Sequence, residues 1–545
     1  MKKDGLSRRN FLKMAGCGST ALWAGFGPLS KAAKTHGSRK INRSASRKPN
    51  ILILMTDQQR CDSLGCYGGT VIQTPNIDRL AKEGALFENC YSPCPVCTPS
   101  RASMLTGKSV PGHGVYKLHD ILPDNEILIS RRLQRLGYET SLVGKLHVSG
   151  LWQEARQRHP NDGFEHYHWC IDPGLNFDSP YNSFARWVEK KDPTFYERLK
   201  REGKDLHHFP AELHFSRWAA ETTVGLITNR DKNRPFFILM SLFDPHDPYF
   251  DHPVEAARMV NVNNIPQPQP VDKNANVPDG VRREMDKARR IKTHSKTFKD
   301  SIHNLRKGYY ASVAFLDQQI GAVLDCLDAE GLADDTLVIF VSDHGDMLWD
   351  RGLFTKGAFF YDASVRVPLL MRFPGDIQPG TRLGAPVQQL DLAATIMALA
   401  GFAGRELKRI MPESMDLLSF IRHGKSCENY RDYAVCLYRN TGYGPGHKYF
   451  DPPVHATMFR DERFKLNVYH GGPNDRSSTG ELYDMVNDPA EKNNLWNDPA
   501  CSEVKDRLFR RLLDWMVTND VRNFGSRGGE KFRTLKKNYY GDDRG

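Results

Sequence analysis

The stretch NILILMTDQ, residues 50–58, decides the fold class. Residues 51–55 are all apolar, which is typical of a strand buried on both faces of a parallel sheet. Strands alternating with helices over residues 49–420 predict an α/β fold with a mostly parallel central sheet flanked by helices. The other apolar runs that predict strands are residues 140–144, 235–242, 336–341 and 367–373. In the last of these, Pro368 predicts an edge or terminal strand.

The character of the sequence changes after a polar stretch at residues 422–432. We therefore expect a smaller C-terminal α+β domain over residues 421–520, followed by a basic, flexible tail over residues 521–545. Partial alternation predicts short strands, and helical spacing predicts a final helix, at residues 433–438, 456–459, 464–469 and 502–517.

The N-terminus resembles an export signal. Residues 7–13, SRRNFLK, form a twin-arginine signature, and a weakly apolar segment and the small residues Ser30 and Ala32 follow it. Residues 1–32 thus predict a signal peptide for the twin-arginine translocon, and residues 33–48 a linker. The apolar segment is too short for stable membrane insertion, so we expect a periplasmic or extracellular protein. In such a compartment cysteines tend to pair, but the sequence fixes no pairing.

The composition is that of a soluble globular protein, with 39% hydrophobic and 26% charged residues among 545. Of the net charge of +11, residues 1–32 account for +5, because they contain six Lys and Arg and one Asp. The remaining +6 suits an anionic substrate, but no single basic face indicates nucleic-acid binding. The basic residues 281–308 predict a solvated helical insertion, with a surface for an anionic polymer as the alternative.

Polar and titratable side chains follow four of the predicted strands. Ligands in open α/β sheets bind beyond the carboxyl ends of the strands, so these side chains mark a candidate site. Oxygen donors with one imidazole suit a hard or borderline divalent cation, and lysines and histidines suit an anionic tetrahedral group. The residues are Asp57, Gln58, Lys145, His147, Asp244, His246, Asp343 and His344, with Lys356 further along the chain.

The segment CTPSRASMLTG, residues 97–107, allows three interpretations. Cys94 and Cys97 could form a thioredoxin-like pair, but Pro93 and Pro95 and the absence of a thioredoxin-sized unit disfavour this. Cys97 could instead belong to a structural disulfide. In the third interpretation, Cys97 is a catalytic nucleophile or its precursor.

The pattern Cys97-x-Pro99-Ser100-Arg101-x3-Leu105-Thr106-Gly107 resembles the signature of the type I, formylglycine-dependent sulfatases of the alkaline-phosphatase superfamily. The resemblance extends over residues 49–500 and is nearest to the choline-sulfatase, iduronate-sulfatase and phosphonate-monoesterase branch. It implies an alkaline-phosphatase-like catalytic domain over residues 49–420.

The resemblance also implies a cofactor and a modified residue. Cys97 would be oxidised to formylglycine by a formylglycine-generating or an anaerobic sulfatase-maturing enzyme. Asp57, Gln58, Asp343 and His344, with the modified Cys97, would hold one divalent cation, which is usually Ca²⁺ in this family. Many members carry Asp where this chain has Gln58 and an amide where it has His344, so Mn²⁺ or another divalent ion is the alternative.

The remaining roles follow from the same resemblance. Arg101 would hold the hydrated formylglycine, and Lys145 and Lys356 would bind sulfate oxygens. His246 would protonate the departing alkoxide, and His147 would remove a proton from the second hydroxyl.

The sequence thus predicts a sulfuric ester hydrolase whose substrate is a sulfated carbohydrate. One alternative is a phosphodiester or phosphonate monoester hydrolase with the same site, and another is a non-catalytic carbohydrate-binding relative. Residues 165–169 and 442–448 could face the substrate, and for residues 165–169 ordinary packing over the sheet is an equal alternative.

Overall fold

The structure, a computed structural model, describes residues 48–271, 275–293, 296–440, 450, 452–471 and 479–519, without the side chains of residues 287–300. The predicted signal peptide, nearly all of the predicted linker, the predicted tail and residues 442–448 lie outside the described residues. Within the described ranges, no helix has the length and apolar character needed to cross a membrane.

Two sheets and a set of flanking helices make up the described part of the chain. The strands are β1 (Asn50–Thr56), β2 (Ala85–Tyr91), β3 (Glu139–Gly144), β4 (His166–Trp169), β5 (Phe236–Ser241), β6 (Thr336–Ser342), β7 (Arg366–Arg372), β8 (Thr381–Leu383), β9 (Val387–Gln388), β10 (Ala434–Arg439), β11 (His455–Arg460), β12 (Phe464–His470) and β13 (Thr479–Asp484). The helices are α1 (Pro75–Glu83), α2 (Cys97–Thr106), α3 (Val110–His113), α4 (Ile129–Arg135), α5 (Leu151–Glu154), α6 (Ser183–Lys191), α7 (Pro193–Glu202), α8 (Phe215–Thr228), α9 (Asp279–Thr293), α10 (Lys296–Ala329), α11 (Asp362–Val365), α12 (Asp391–Leu399), α13 (Gly404–Ile410), α14 (Leu417–His423) and α15 (502–519).

The large sheet has nine strands in the order β4-β3-β5-β1-β6-β7-β2-β8, and β9 also pairs with β2. The five strands from β4 to β6 are parallel, and β7 is antiparallel to both of its neighbours. At the centre, Ile53 of β1 lies opposite Leu239 of β5 and Ile339 of β6. The mostly parallel sheet predicted from the sequence is confirmed.

The position predicted for residues 367–373 is wrong. Strand β7 is internal, because it pairs with β6 on one side and β2 on the other. Pro368 is tolerated there because it lies at a β-bulge, where the register shifts between the pairs Phe87–Leu369 and Cys90–Val367. An internal strand can therefore lack this one amide donor.

Alternate side chains of β1 pack into two separate hydrophobic cores, which explains why its apolar run is continuous. Leu52 and Leu54 pack with residues of α8 and α10 on one face of the sheet. Ile51 and Ile53 pack with residues of α2, α4 and α12 on the other. Both faces of the sheet are thus covered by helices, as a parallel sheet requires.

The C-terminal region forms a four-stranded antiparallel sheet, β10-β11-β12-β13, followed by α15. This agrees with the predicted α+β character, and strand β13 was missed. The small sheet shares one hydrophobic core with the large part of the chain, in which Leu437 and Met458 lie in the same cluster as Val96, Cys97 and Phe359. The boundary between residues 420 and 421 therefore remains an interpretation.

The described parts of the basic segment, residues 281–293 and 296–308, are helical and belong to α9 and the start of α10. Arg306 is not a solvated side chain, because it is buried and donates to Asp350 Oδ1, to Leu348 O and to Pro266 O. This end of the segment is anchored in the fold.

Candidate active site

The predicted site residues follow the carboxyl ends of four adjacent strands and therefore lie at one edge of the large sheet. In the order β3-β5-β1-β6, the strand ends are followed by Lys145, Asp244, Asp57 and Asp343. All four side chains are almost completely buried. The structure therefore brings together the residues that the sequence places at separate strand ends.

Asp57, Asp343 and His344 offer one ligand atom each within 4.8 Å of one another. His344 Nε2 lies 3.7 Å from Asp57 Oδ1 and 3.7 Å from Asp343 Oδ1. His344 Nε2 and Asp57 Oδ1 are buried and have no hydrogen-bond partner among the described residues. Buried polar atoms are rarely left unpaired, so these two atoms fit the ligand shell of a cation. Two carboxylates and an imidazole suit a divalent ion.

Arg101 lies beneath this cluster and holds its two carboxylates in place. Its Nη2 donates to Asp57 Oδ2 at 3.0 Å and its Nε to Asp343 Oδ2 at 2.7 Å. Its Nη1 donates to Lys145 O and to Ser241 Oγ, each at 2.8 Å. Four of its five N–H groups are thus engaged, and Arg101 orients the metal-ligand candidates, which its sequence-derived role did not include.

Two further residues of the 97–107 motif, Ser100 and Gly107, also have structural roles. The single hydroxyl proton of Ser100 is shared between two acceptors, Asp343 O at 2.7 Å and Gln389 Oε1 at 2.6 Å. Gly107 ends α2 with φ +70°, and a Cβ there would lie 2.9 Å from the sulfur of Met411. The motif therefore fixes α2 against the end of β6.

Gln58 adopts φ +66° and directs its amide away from solvent. Its Nε2 donates to Asp346 Oδ2 at 2.6 Å and to the Tyr249 hydroxyl at 3.1 Å, and its Oε1 accepts from Lys356 Nζ at 2.5 Å. In this geometry Gln58 links the metal-ligand candidates to Lys356. Asp346 and Tyr249 are site residues that the sequence reasoning did not assign a role.

Cys97 is the first residue of α2 and is buried. Burial alone would raise the pKa of its thiol, but the ammonium groups of Lys145 and Lys356 bring it below its usual value. Lys145 in turn donates to Asp57 Oδ2 at 2.6 Å, and this carboxylate keeps the pKa of the buried ammonium raised. Position 97 therefore lies in an electropositive site that stabilises an anion.

A cavity of about 280 Å³ opens onto Cys97. Five of the predicted catalytic residues line it, and Arg101 does not. The lining residues are Cys97, Lys145, His147, His246 and Lys356, together with Leu118, His119, Leu151, Trp152, Ile171, Asp172, Leu175, Lys204, Phe243 and Asp247.

His246 and Lys356 form a hydrogen-bonded pair at this cavity, with 2.7 Å between Nε2 and Nζ. His246 Nδ1 lies 2.7 Å from Asp247 O, to which it donates, so Nε2 accepts from the ammonium. Burial, followed by the positive charge of Lys356, lowers the pKa of His246 to about 4. This favours a neutral imidazole at neutral pH, with Nε2 as the hydrogen-bond acceptor of Lys356.

His147 is held by Glu154, which sequence reasoning missed. The buried Glu154 carboxylate accepts from the backbone N–H groups of His147, Val148 and Ser149 at 2.7–3.1 Å. His147 Nε2 lies 3.0 Å from Thr98 Oγ1, and its Nδ1 is unpartnered among the described residues. Burial, followed by Lys145, lowers the pKa of His147 well below its usual value, which leaves it able to accept a proton.

Two further sequence expectations concern the surroundings of the site. The ten described cysteines all have free thiols, including Cys94 and Cys97. Residues 166–169 form β4 at the edge of the sheet, and none of residues 165–169 lines the cavity. The packing alternative therefore describes this segment. Trp169, for example, is buried and donates to Glu154 Oε2 at 3.1 Å.

Comparison with known proteins places this arrangement in a class. The arrangement of the large sheet is alkaline-phosphatase-like, and a family model of the sulfatases matches residues 49–402. The chain belongs to the sulfatase family. A second family model, the C-terminal region of N-sulphoglucosamine sulphohydrolase, matches residues 350–518. The predicted resemblance and the predicted enzyme class, sulfate ester hydrolysis, are confirmed.

The relatives extend over most of the chain. An arylsulfatase of Clostridium perfringens is 29% identical over 491 residues, covering 86% of this chain and 94% of the relative. An N-acetylglucosamine-6-O-sulfatase of Bacteroides thetaiotaomicron is 26% identical over 534 residues, covering 86% of each chain. The solved phosphonate monoester hydrolase of Agrobacterium radiobacter matches with a TM-score of 0.69 and 21% identity, covering 87% of this chain and 96% of that one. This last likeness concerns the fold alone.

Proposed function

We propose that this sulfatase removes sulfate from a sulfated carbohydrate with a hydrated formylglycine formed from Cys97. The observation that carries the proposal is the buried cluster of Asp57, Asp343 and His344 beside Cys97, with two unpaired ligand atoms. Lys145 and Lys356, in the same cavity, supply the positive charge that a sulfate group requires.

Asp57, Asp343 and His344 would hold one divalent cation, with the modified Cys97 and Gln58 completing the set. The two unpaired buried atoms support this assignment. Ca²⁺ is the proposed ion, and the imidazole of His344 makes Mn²⁺ the alternative. Such an ion supplies positive charge that favours an ionised hydroxyl at position 97 and offsets negative charge on the sulfate.

The protein side chains then perform the proton transfers. One hydroxyl oxygen of the hydrated aldehyde attacks sulfur, and the bond from sulfur to the alcohol oxygen breaks. The His246–Lys356 pair donates the proton that the departing alkoxide takes up. His147 removes the proton from the second hydroxyl, the bond between carbon and the sulfate oxygen breaks, and the aldehyde is restored.

The proposal of a carbohydrate substrate rests on one relative, on one family model and on the charge of the chain. The relative from Bacteroides thetaiotaomicron is named for a sulfated sugar, and the second family model for N-sulphoglucosamine. We also propose export by the twin-arginine translocon and maturation by a formylglycine-generating or anaerobic sulfatase-maturing enzyme. The signature at residues 7–13 and the 97–107 motif support these two steps.

A peptide mass spectrum across Cys97 tests this proposal, on protein from its own host or co-produced with a maturing enzyme. We expect an aldehyde or its hydrate at position 97, and complete loss of sulfate release in Cys97→Ala. Cys94→Ala is the matched control and should keep its turnover. An unmodified thiol in protein that still hydrolyses sulfate esters would contradict the formylglycine mechanism.

Phosphonate monoester or phosphodiester hydrolysis is the second candidate. Gln58 in place of a carboxylate and His344 as a metal-ligand candidate favour it, because Gln58 removes a negative charge at the cation and His344 changes the type of ligand. Rates on 4-nitrophenyl sulfate and on bis(4-nitrophenyl) phosphate, with inorganic phosphate as inhibitor, separate the two activities. We expect the sulfate to react faster, and the opposite order would favour the second candidate.

A further inference from the structure

The cavity above Cys97 has two chemically different parts. Its inner end is cationic, with Lys145 and Lys356. Apolar side chains make up most of the outer wall, among them Leu118, Leu151, Trp152, Ile171 and Leu175. Such a wall by itself would accept an aromatic ring as readily as the C–H face of a sugar, so it does not select a carbohydrate.

One ion pair interrupts this apolar wall. Asp172 Oδ2 lies 2.7 Å from Lys204 Nζ, and both residues line the cavity. The Asp172 side chain is only 9% exposed, and its other oxygen accepts from Gly174 N–H at 2.9 Å. Asp172 follows the end of β4, and Lys204 lies in the turn after α7, so two separate insertions meet at the cavity.

The reaction assigned above does not use this pair. The carboxylate is buried but the Lys204 side chain is 36% exposed, and an ion pair with an exposed partner adds little to stability. A carboxylate beside an ammonium has, however, a specific use in a binding cavity. The carboxylate accepts hydrogen bonds from two neighbouring hydroxyl groups, and the ammonium donates to their oxygens.

We propose that Asp172 and Lys204 bind vicinal hydroxyl groups of the sugar ring that carries the scissile sulfate, while Trp152 stacks on its C–H face. The Trp152 side chain is suited to this, because the residue is 57% exposed at the wall of the same cavity. This inference rests on the proposed function and names the residues that select its substrate class. An aryl sulfate offers no vicinal hydroxyl groups to Asp172 and Lys204, so it gains nothing from this pair.

The test compares two classes of ester on the matured enzyme. The variants are Asp172→Asn, which keeps the acceptor for Gly174 N–H, and Lys204→Met. The substrates are a set of monosulfated monosaccharides that includes N-acetylglucosamine 6-sulfate, and 4-nitrophenyl sulfate. We expect kcat/KM on the best sugar sulfate to fall about 10- to 100-fold, and on the aryl ester to change by less than about threefold.

Lys200→Met is the matched control. Lys200 lies on α7, near Lys204 in the chain, and its exposed partner Asp178 is 3.8 Å away, but neither residue lines the cavity. Equal losses on both classes of ester would show a merely structural role for Asp172 and Lys204 and overturn the inference. So would unchanged rates on the sugar sulfates, or a wild-type enzyme that hydrolyses only the aryl ester.

Binding to Cys97→Ala, measured by calorimetry with the same sugars, gives a readout that needs no turnover. We expect Asp172→Asn in this background to weaken binding by about 10-fold or more. If the sugars bind in this way but the matured enzyme hydrolyses no ester, the proposed function fails and this inference stands. If binding is unaffected by the substitution, this inference fails, whatever the enzyme hydrolyses.

Discussion

Arg101 is the residue on which the candidate active site depends most, because it lies between two buried carboxylates. In Arg101→Ala the charges of Asp57 and Asp343 lose their shared partner. We expect the free energy of unfolding to fall by about 3–5 kcal/mol, as when one partner of a buried pair is removed.

The measurement is denaturant unfolding in the absence of added divalent ions. The matched control is Arg382→Ala, which removes an exposed ion pair with Glu88, and here we expect a loss below about 1 kcal/mol. A loss for Arg101→Ala no larger than that of the control would show that the carboxylates do not need this partner.

We expect Lys145 to act on the reaction through its positive charge. Its ammonium lies 2.6 Å from Asp57 Oδ2 and lines the cavity. In Lys145→Met we expect kcat for sulfate release to fall about 10²- to 10³-fold, because a positive charge no longer stabilises the transition state. Steady-state rates on the matured variant provide the measurement, and a change in KM alone would argue against this role.

How much of the site could be predicted differs from residue to residue. Asp57, Cys97, Asp343 and His344 were predicted because strand ends and a long motif mark them in the sequence, and the structure brings Asp57, Asp343 and His344 together. Glu154 could not be found, since its partners are backbone N–H groups that come together only when the chain after β3 turns back on itself. Arg101 was predicted to lie at the site, but its carboxylate partners are 44 and 242 positions away, and no local pattern reveals them.

The N-terminus of helix α8 is capped by a titratable side chain, that of His214. His214 Nδ1 accepts from Ser216 N–H at 3.2 Å, and burial lowers the pKa of His214 to about 3. Between this value and about 6.5 the unfolded chain binds a proton that the folded chain excludes, so stability falls as the pH is lowered through this range. We expect His214 to contribute a loss of about 1.4 kcal/mol for each pH unit below about 6.5.

His214→Asn isolates this contribution, because Asn keeps a cap acceptor and does not titrate. The free energies of unfolding of both proteins would be measured at pH 7.0 and 5.5. The wild type should lose about 1 kcal/mol more than the variant between these conditions. Identical losses would mean that the cap is not the group that takes up the proton.

The secondary structure was predictable where one pattern continues for long enough. Strands β1, β5 and β6 are buried runs, and α1 has Thr74 before it and Gly84 after it. Strand β2 was missed because the polar pair Glu88 and Asn89 interrupts its apolar pattern at the β-bulge. The internal position of β7 depends on pairing with this missed strand, so the sequence favoured an edge.

For the molecule as a whole, binding of the candidate cation at the site should raise the free energy of unfolding. A ligand that binds only the folded state raises the free energy of unfolding, by about 2.7 kcal/mol when its concentration is 100 times Kd. We expect Ca²⁺ to raise the melting temperature of the chelator-treated protein, with Mn²⁺ as the comparison. In Asp343→Asn the increase should vanish, and an equal increase in this variant would place the ion elsewhere.

The two sheets should not fold independently, because they share a hydrophobic core. A chain ending at residue 420 would expose Val96, Phe359 and Phe360, so we expect it to aggregate or to unfold without a cooperative transition. The control is a chain ending at residue 519, which keeps all of the described contacts. Cooperative unfolding of the shorter chain, followed by circular dichroism, would support two independent domains.

Because Cys97 is buried in the folded protein, folding would limit the time available for its proposed oxidation. Cys97 begins helix α2, and Ser100 and Arg101 fix this helix to Asp343 by hydrogen bonds. Asp343 is synthesised about 240 residues after residue 107. At the usual rate of synthesis, roughly 5–20 residues per second, that interval is roughly 10–50 s. If Cys97 is oxidised by a maturing enzyme, as proposed above, that enzyme would compete with folding for a transiently accessible segment. The yield of active protein would then depend on the ratio of two rates, and slower translation between these positions would raise it.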